Sequence, residues 1–208
     1  MLKPNAQRAQ WAVYSFYALL VLTLAFTGAQ WLEYESAVQD NILQDQYFIR
    51  SSEVIALFYL GGLLVNVILF IMWFRRAYFN LHTVGTTIQK FDEGWAAGAW
   101  FIPLLNLVRP YQIGKEIWYN TQRAANFVRT EEHGLVRGWW ILFLLRNFVD
   151  RIASEIQSPV GFLVIALVEG MAIIAAILYI KRVAKFEEQL AINYDRGLAI
   201  EEHFIESI

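Results

Sequence analysis

The sequence predicts an all-α integral membrane protein. It has four transmembrane helices, a proline-broken re-entrant or interfacial element between the second and third, and a cytoplasmic amphipathic helix. Three observations lead there. The chain is 57% hydrophobic and only 17% charged, where a soluble domain carries about 25% charged residues. Its apolar residues gather in runs close to the ~20 residues that cross a bilayer as a helix. Trp stands at the ends of the first three runs, and Arg or Lys pairs close the second and fourth, the pattern of a membrane–water boundary.

The first span is Trp11–Leu32, with Trp11 and Trp31 at its ends. The run is longer than the apolar core of a cleavable signal and ends in Trp31-Leu32-Glu33 rather than in small residues, so it is expected to be retained. The second span is Val54–Phe74, closed by Trp73 and then Arg75-Arg76. The third runs from Gly138-Trp139-Trp140 to about Ile156, and the fourth is Val160–Ile180, followed by Lys181-Arg182. Basic residues set the orientation. Lys3 and Arg8 precede span one. Arg75, Arg76, Lys90, Arg109, Lys115, Arg123, Arg129 and Arg137 lie between spans two and three, and Lys181, Arg182 and Lys185 follow span four. The loop 33–53 is acidic. All the basic clusters share one side if both termini are cytoplasmic.

Gly94–Tyr111, GWAAGAWFIPLLNLVRPY, fits none of these spans. It is apolar but is broken by Pro103 and stopped by Arg109-Pro110. Crossing here would put Arg109 to Arg137 outside, against the charge bias, so the element is expected to enter and return or to lie in the interface. Non-helical backbone at membrane depth is tolerated only when it is buried in protein or lines a cavity. Gly94 and Gly98 form a GxxxG spacing that suits close helix contact. Residues 111–132 follow, with Ile113, Ile117, Ala124 and Phe127-Val128 as an apolar stripe, and read as an amphipathic helix. The tail 183–208 starts as a helix and then becomes acidic and is expected to loosen.

Several function classes are disfavoured. Without cysteine there is no disulfide, thiolate metal site or cysteine nucleophile. His82, His133 and His203 are scattered with no ligand spacing, so no metal and no cofactor are expected. A net charge of -2 points to no nucleic-acid partner. No nucleophile and base stand together in a recognisable pattern, so no enzyme is expected. The tryptophans Trp95, Trp100, Trp118, Trp139 and Trp140 read as interfacial belt residues.

Arg76-Ala77-Tyr78-Phe79-Asn80-Leu81, then Gly94-Trp95 through Phe101-Ile102-Pro103 to Leu107, then Arg109-Pro110-Tyr111-Gln112 and Glu116-Ile117-Trp118, resemble the bacterial membrane family called domain of unknown function 4328. The resemblance covers roughly Trp11 to Arg182. It implies a bacterial cytoplasmic membrane location and about four spans, and no activity. It also makes Trp95, Asn106, Arg109, Tyr111 and Glu116 the candidate binding residues.

A second constellation is intramembrane: Asn66, Arg146, Asn147, Asp150 and Glu169. Arg146 and Asp150 share a helix face. Counting outward from the turn near Ser158 sets Glu169 level with Arg146, and a carboxylate at mid-membrane costs about 2.5–3.5 kcal/mol unless paired. A Glu169–Arg146 pair is therefore expected, either as a static staple or as part of a polar pathway.

Two functions follow. One is a scaffold, sensory or regulatory subunit that uses its cytoplasmic Gly-Trp…Phe-Ile-Pro…Arg-Pro-Tyr motif to bind a protein or a lipid headgroup. The other is a small oligomeric transporter or ion- or proton-conducting protein with Glu169, Arg146, Asp150 and Asn66 as its pathway. The expected partners are the lipid bilayer and either another protein or further copies of the chain.

Overall fold

The computed structural model describes the backbone of residues 1–38, 42–85, 89–153 and 158–206, and the side chains of these except 42–48, 150, 152–153 and 198–206. All regular structure among the described residues is helical. In chain order it comprises α1 (Ala6–Val38), α2 (Ile42–Val84), α3 (Trp95–Gly98), a 3-10 turn (Leu105–Leu107), α4 (Arg109–Ala124), α5 (Gly134–Ala153) and α6 (Pro159–Glu206).

Three of these helices, α1, α2 and α6, are long and apolar enough to cross a membrane. At 33, 43 and 48 residues they outrun the ~20 a span needs, so each carries its apolar run plus a polar extension. The α6 extension runs to Glu206, further than the expected loosening of the tail. Helix α5 has the length at 20 residues but holds Arg137, Arg146, Asp150 and Arg151. By composition it is less apolar than the other three. It ends at Ala153, and the last residues expected for the third span, 154–156, lie outside the described residues.

The chain divides into two compact units. The apolar unit is Ala12–Leu69 with Gly138–Ile177. Its outward side chains, among them Leu24, Leu57, Phe58, Leu64 and Ile68, are exposed aliphatics and aromatics. A continuous apolar surface of this kind suits lipid rather than water. Inside it, Gly62 lets α1 come close to α2, because a Cβ there would lie 2.5 Å from Leu22 Cδ1. Trp139 and Trp140 are buried here rather than set out as belt residues, with Phe143 stacked on Trp140.

The signature unit is Met1–Trp11, Phe70–Arg137 and Leu178–Ile208. Helix α4 is its centre. Ile113, Gly114, Ile117, Trp118, Thr121 and Gln122 are buried at spacings of three and four, the inward face of a helix. It ends at Ala124, short of the 132 expected from the stripe. Asn126 takes φ 57, and the Phe127 N–H donates to Gln122 O while the Asn126 N–H donates to Arg123 O, which closes the helix end. Val128 is therefore fully exposed rather than part of the buried face. Gly114 supplies the close approach. A Cβ there would meet the Tyr179 hydroxyl at 3.3 Å, Val136 at 3.6 Å and Phe74 at 3.7 Å.

Candidate functional site

The Gly94–Tyr111 element folds as a short helix, a tight turn and a 3-10 turn leading into α4. Its GxxxG pair does not mediate helix contact. Helix α3 has four residues, and a Cβ on Gly94 or Gly98 would meet nothing within 4 Å. The buried small residues are Ala96 and Ala99 instead. Trp100 holds the base of the loop, packed edge-on against Phe70 (5.5 Å) and Phe74 (5.9 Å) of α2. Beyond it the side chains turn outward: Phe101 is 74% exposed and Leu104 is 80%, with Ile102, Leu107 and Val108 also exposed.

The tip is a γ-turn. The Leu105 N–H donates to Pro103 O at 2.6 Å, and Leu104 between them has φ 62 and ψ -48. That hand of γ-turn is rare and strained, and a non-glycine residue held there costs on the order of 1–3 kcal/mol. Pro103 offers no N–H and bends the chain. The Leu104 side chain at this tip stands outward, 80% exposed.

Arg109 sits over the rings of Phe91 (4.1 Å) and Trp95 (4.8 Å), two cation–π contacts that fix its guanidinium at the foot of the loop. Asn106 is half-buried, and its Oδ1 is buried with no hydrogen-bond partner. The other two candidate binding residues go elsewhere. The Tyr111 ring lies 6.5 Å from that of His133. Glu116 accepts hydrogen bonds from the Tyr78 hydroxyl (2.7 Å) and the Lys90 N–H (3.2 Å). Burial and this carboxylate hold the Tyr78 phenol well above its ordinary pKa. Trp95 and Arg109 are thus brought together, while Tyr111 and Glu116 brace the unit. Phe91 and Tyr78 had no role in the sequence reading, although Tyr78 stands in the quoted signature.

Buried polar bonds stiffen the rest of the unit. Gln122 is fully buried, donates to Trp118 O (2.8 Å) and accepts from the Glu131 N–H (2.7 Å). Trp118 is buried rather than interfacial, and its Nε1 donates to Glu131 O. The Tyr179 hydroxyl donates to Gly114 O (3.2 Å) and Arg182 pairs with Glu131.

In the apolar unit, Glu169 is 4% exposed and lies 3.3 Å from Arg146 Nη2. Tyr59, which sequence reading missed, links the two. Its hydroxyl donates to Glu169 Oε1 at 2.6 Å and accepts from Arg146 Nη2 at 3.0 Å. Tyr59 also stacks on Phe26. The remaining residues of the expected polar cluster do not join this triad. Asn66 donates to Ser15 Oγ (3.0 Å). Asn147 is exposed and donates to the Phe143 carbonyl of its own helix (2.7 Å). The Asp150 side chain lies outside the described residues. Among the described residues no group of His, Asp or Glu forms a metal site.

A family model described as "Domain of unknown function (DUF4328)" matches residues 46–188. Comparison with curated proteins and with solved structures gives no significant match.

Proposed function

The chain belongs to the DUF4328 family, and on that premise we propose that it is a scaffold, sensory or regulatory subunit of the bacterial cytoplasmic membrane whose signature loop is anchored in the lipid interface. In this reading α5 is the fourth span and both termini are cytoplasmic. The neutralising Glu169–Arg146 pair supports α5 as a span, since it removes one of that helix's charges from the cost of insertion.

The observation that carries the reading is the exposed apolar tip on an anchored base. Helix α2 serves as a depth gauge. Its apolar run meets the basic pair Arg75-Arg76 at the headgroup level, and Phe70 lies five to six residues deeper, about 7–9 Å at 1.5 Å per residue. Trp100 packs on Phe70 and also on Phe74, one to two residues from the basic pair, so Phe101 and Leu104 start from a depth of up to about 9 Å. This matches the ~5–10 Å to which interfacial elements bury their apolar face. Exposed in water they would form an unfavourable patch; in the leaflet they act as an anchor. Trp95 and Arg109 then stand at phosphate level, where a guanidinium pairs well with a lipid phosphate.

The absence of native cysteine allows a direct test. A nitroxide on Leu104→Cys, in liposomes, is expected to relax with oxygen and to be shielded from a water-soluble nickel chelate. The same label on Glu188→Cys should show the reverse. Equal chelate access at both positions would overturn the anchor. The transporter reading draws less support, because Tyr59 and Arg146 occupy the Glu169 carboxylate and Asn66 bonds elsewhere.

A further inference from the structure

Glu187 lies on α6, past Lys181-Arg182 and outside the apolar run of that helix. Its carboxylate faces the start of the chain. Asn5 Nδ2 donates to both oxygens, at 2.9 and 3.0 Å, and approaches the Trp73 carbonyl at 3.4 Å. Asn5 immediately precedes α1, a position where an Asn side chain usually serves the first free N–H groups of the helix. Here the amide is committed to Glu187 instead. Asn80 of α2 completes the clasp. Its Nδ2 donates to Lys3 O (2.9 Å) and its Oδ1 accepts from the Lys3 N–H (3.1 Å).

The partners of Glu187 are all neutral. Among the described residues no cation forms an ion pair with it. The charges on the surrounding elements are occupied elsewhere. On the N-terminal segment, Lys3 Nζ sits over the Phe79 ring at 4.3 Å and Arg8 Nη1 donates to Met72 O at 3.1 Å. On α2, Arg75 pairs with Glu93 and Arg76 lies over Phe79. On α6, the Tyr179 phenol donates to Gly114 O, and Lys181, Lys185 and Glu188 are exposed. A half-buried carboxylate without a countercharge is less stable as an anion than one in open water. The site also holds a spare acceptor: Asn5 is 5% exposed and its Oδ1 is buried without a partner. Rotating the Asn5 amide by half a turn presents that oxygen to a protonated Glu187. The Asn5 amide thus meets the anion through its N–H and, once turned, the acid through its oxygen.

We propose that Glu187 is a proton-binding site that governs how tightly the segment Met1–Asn5 is docked on α2 and α6. Burial pushes its carboxyl up to about 7, against the weaker pull of Asn5, Asn80 and Trp73 toward the anion. The folded pKa is raised, so docking is strongest below the ordinary carboxylate value. It weakens as pH rises through about 7. Protons on the cytoplasmic side would then tighten the N-terminal segment, and their loss would free it.

The test is a nitroxide on Gln7→Cys, followed by its spectral mobility from pH 5.5 to 8.5 in liposomes. The parent protein is expected to pass from immobile to mobile with a midpoint near pH 7. Glu187→Gln keeps the shape and is neutral at every pH, so its label should stay immobile throughout. Asn5→Ala removes the contact and should leave the label mobile throughout, which separates loss of the clasp from general misfolding when a second label at Lys185→Cys is unchanged. A flat profile in the parent protein, or the same midpoint in Glu187→Gln, overturns the proposal. Neither outcome bears on the depth of Leu104, so the anchor stands or falls separately.

Discussion

Replacing Glu169 by leucine is expected to destabilise the protein by about 3–5 kcal/mol, the usual cost of removing one partner from a buried ion pair. The carboxylate is 5% exposed and Arg146 21%. Its loss strips Arg146 of this countercharge and Tyr59 of its hydrogen-bond acceptor. The double variant Glu169→Leu/Arg146→Leu should regain most of that loss, because the desolvated charge disappears with its partner. Unfolding by graded sodium dodecyl sulfate in mixed micelles measures both. If the single variant lies within about 0.5 kcal/mol of the parent, the ordinary range for a surface change, the triad holds nothing together. A double variant as weak as the single would show that the charge left on Arg146 is not the cause. Glu169→Gln retains an acceptor for Tyr59 and should fall between the parent and the leucine variant. The experiment also weighs the two readings of the cluster, since a staple shows itself in stability and a pathway in flux.

The second large effect is expected at Trp118. Its ring stacks on Tyr179 at 6.2 Å, meets Phe186 edge-on at 5.1 Å, and its Nε1 donates to Glu131 O at 2.9 Å. Trp118→Ala should cost about 3–5 kcal/mol, the range for emptying a buried aromatic site. Trp118→Phe keeps the stack and loses the hydrogen bond, for about 1 kcal/mol. The order alanine, phenylalanine, parent in thermal stability checks this. An alanine variant within 1 kcal/mol of the parent would mean that α4 is not held to α6 through this ring.

The three apolar helices were legible because hydrophobic length is a property of composition and leaves its mark on every residue. The Glu169–Arg146 proximity was also foreseeable, as depth counted from a hairpin turn is a one-dimensional measure. What escaped depends on how helices face one another. Tyr59 is one apolar-looking aromatic among many until its hydroxyl is seen between two charges. The Gly94/Gly98 spacing suggested helix contact, but a four-residue helix has too little surface for one. The residues that do allow close approach, Gly62 and Gly114, sit in no spacing motif. The end of α4 at Ala124 turns on the left-handed backbone of Asn126, a local event that the apolar stripe continued past. Trp118, Trp139 and Trp140 looked like boundary residues because Trp favours boundaries, but all three are buried, and Trp118 is covered by Tyr179 and Phe186 from a distant part of the chain. Glu187 carried no signal at all, lying in a charged stretch where one more carboxylate is unremarked.

The bond between Asn80 and Lys3 has a consequence for mutational tolerance. At residue 3, Asn80 bonds to the peptide N–H and carbonyl and so reads the course of the backbone rather than the identity of the side chain. Position 3 therefore tolerates most residues, which bring the same two groups and forfeit only the Lys3 contact with the Phe79 ring. Proline is the exception, because it lacks the N–H. A saturation library at position 3 should return one depleted substitution, whereas a library at position 80 should be restrictive, since few side chains offer a donor and an acceptor at that spacing.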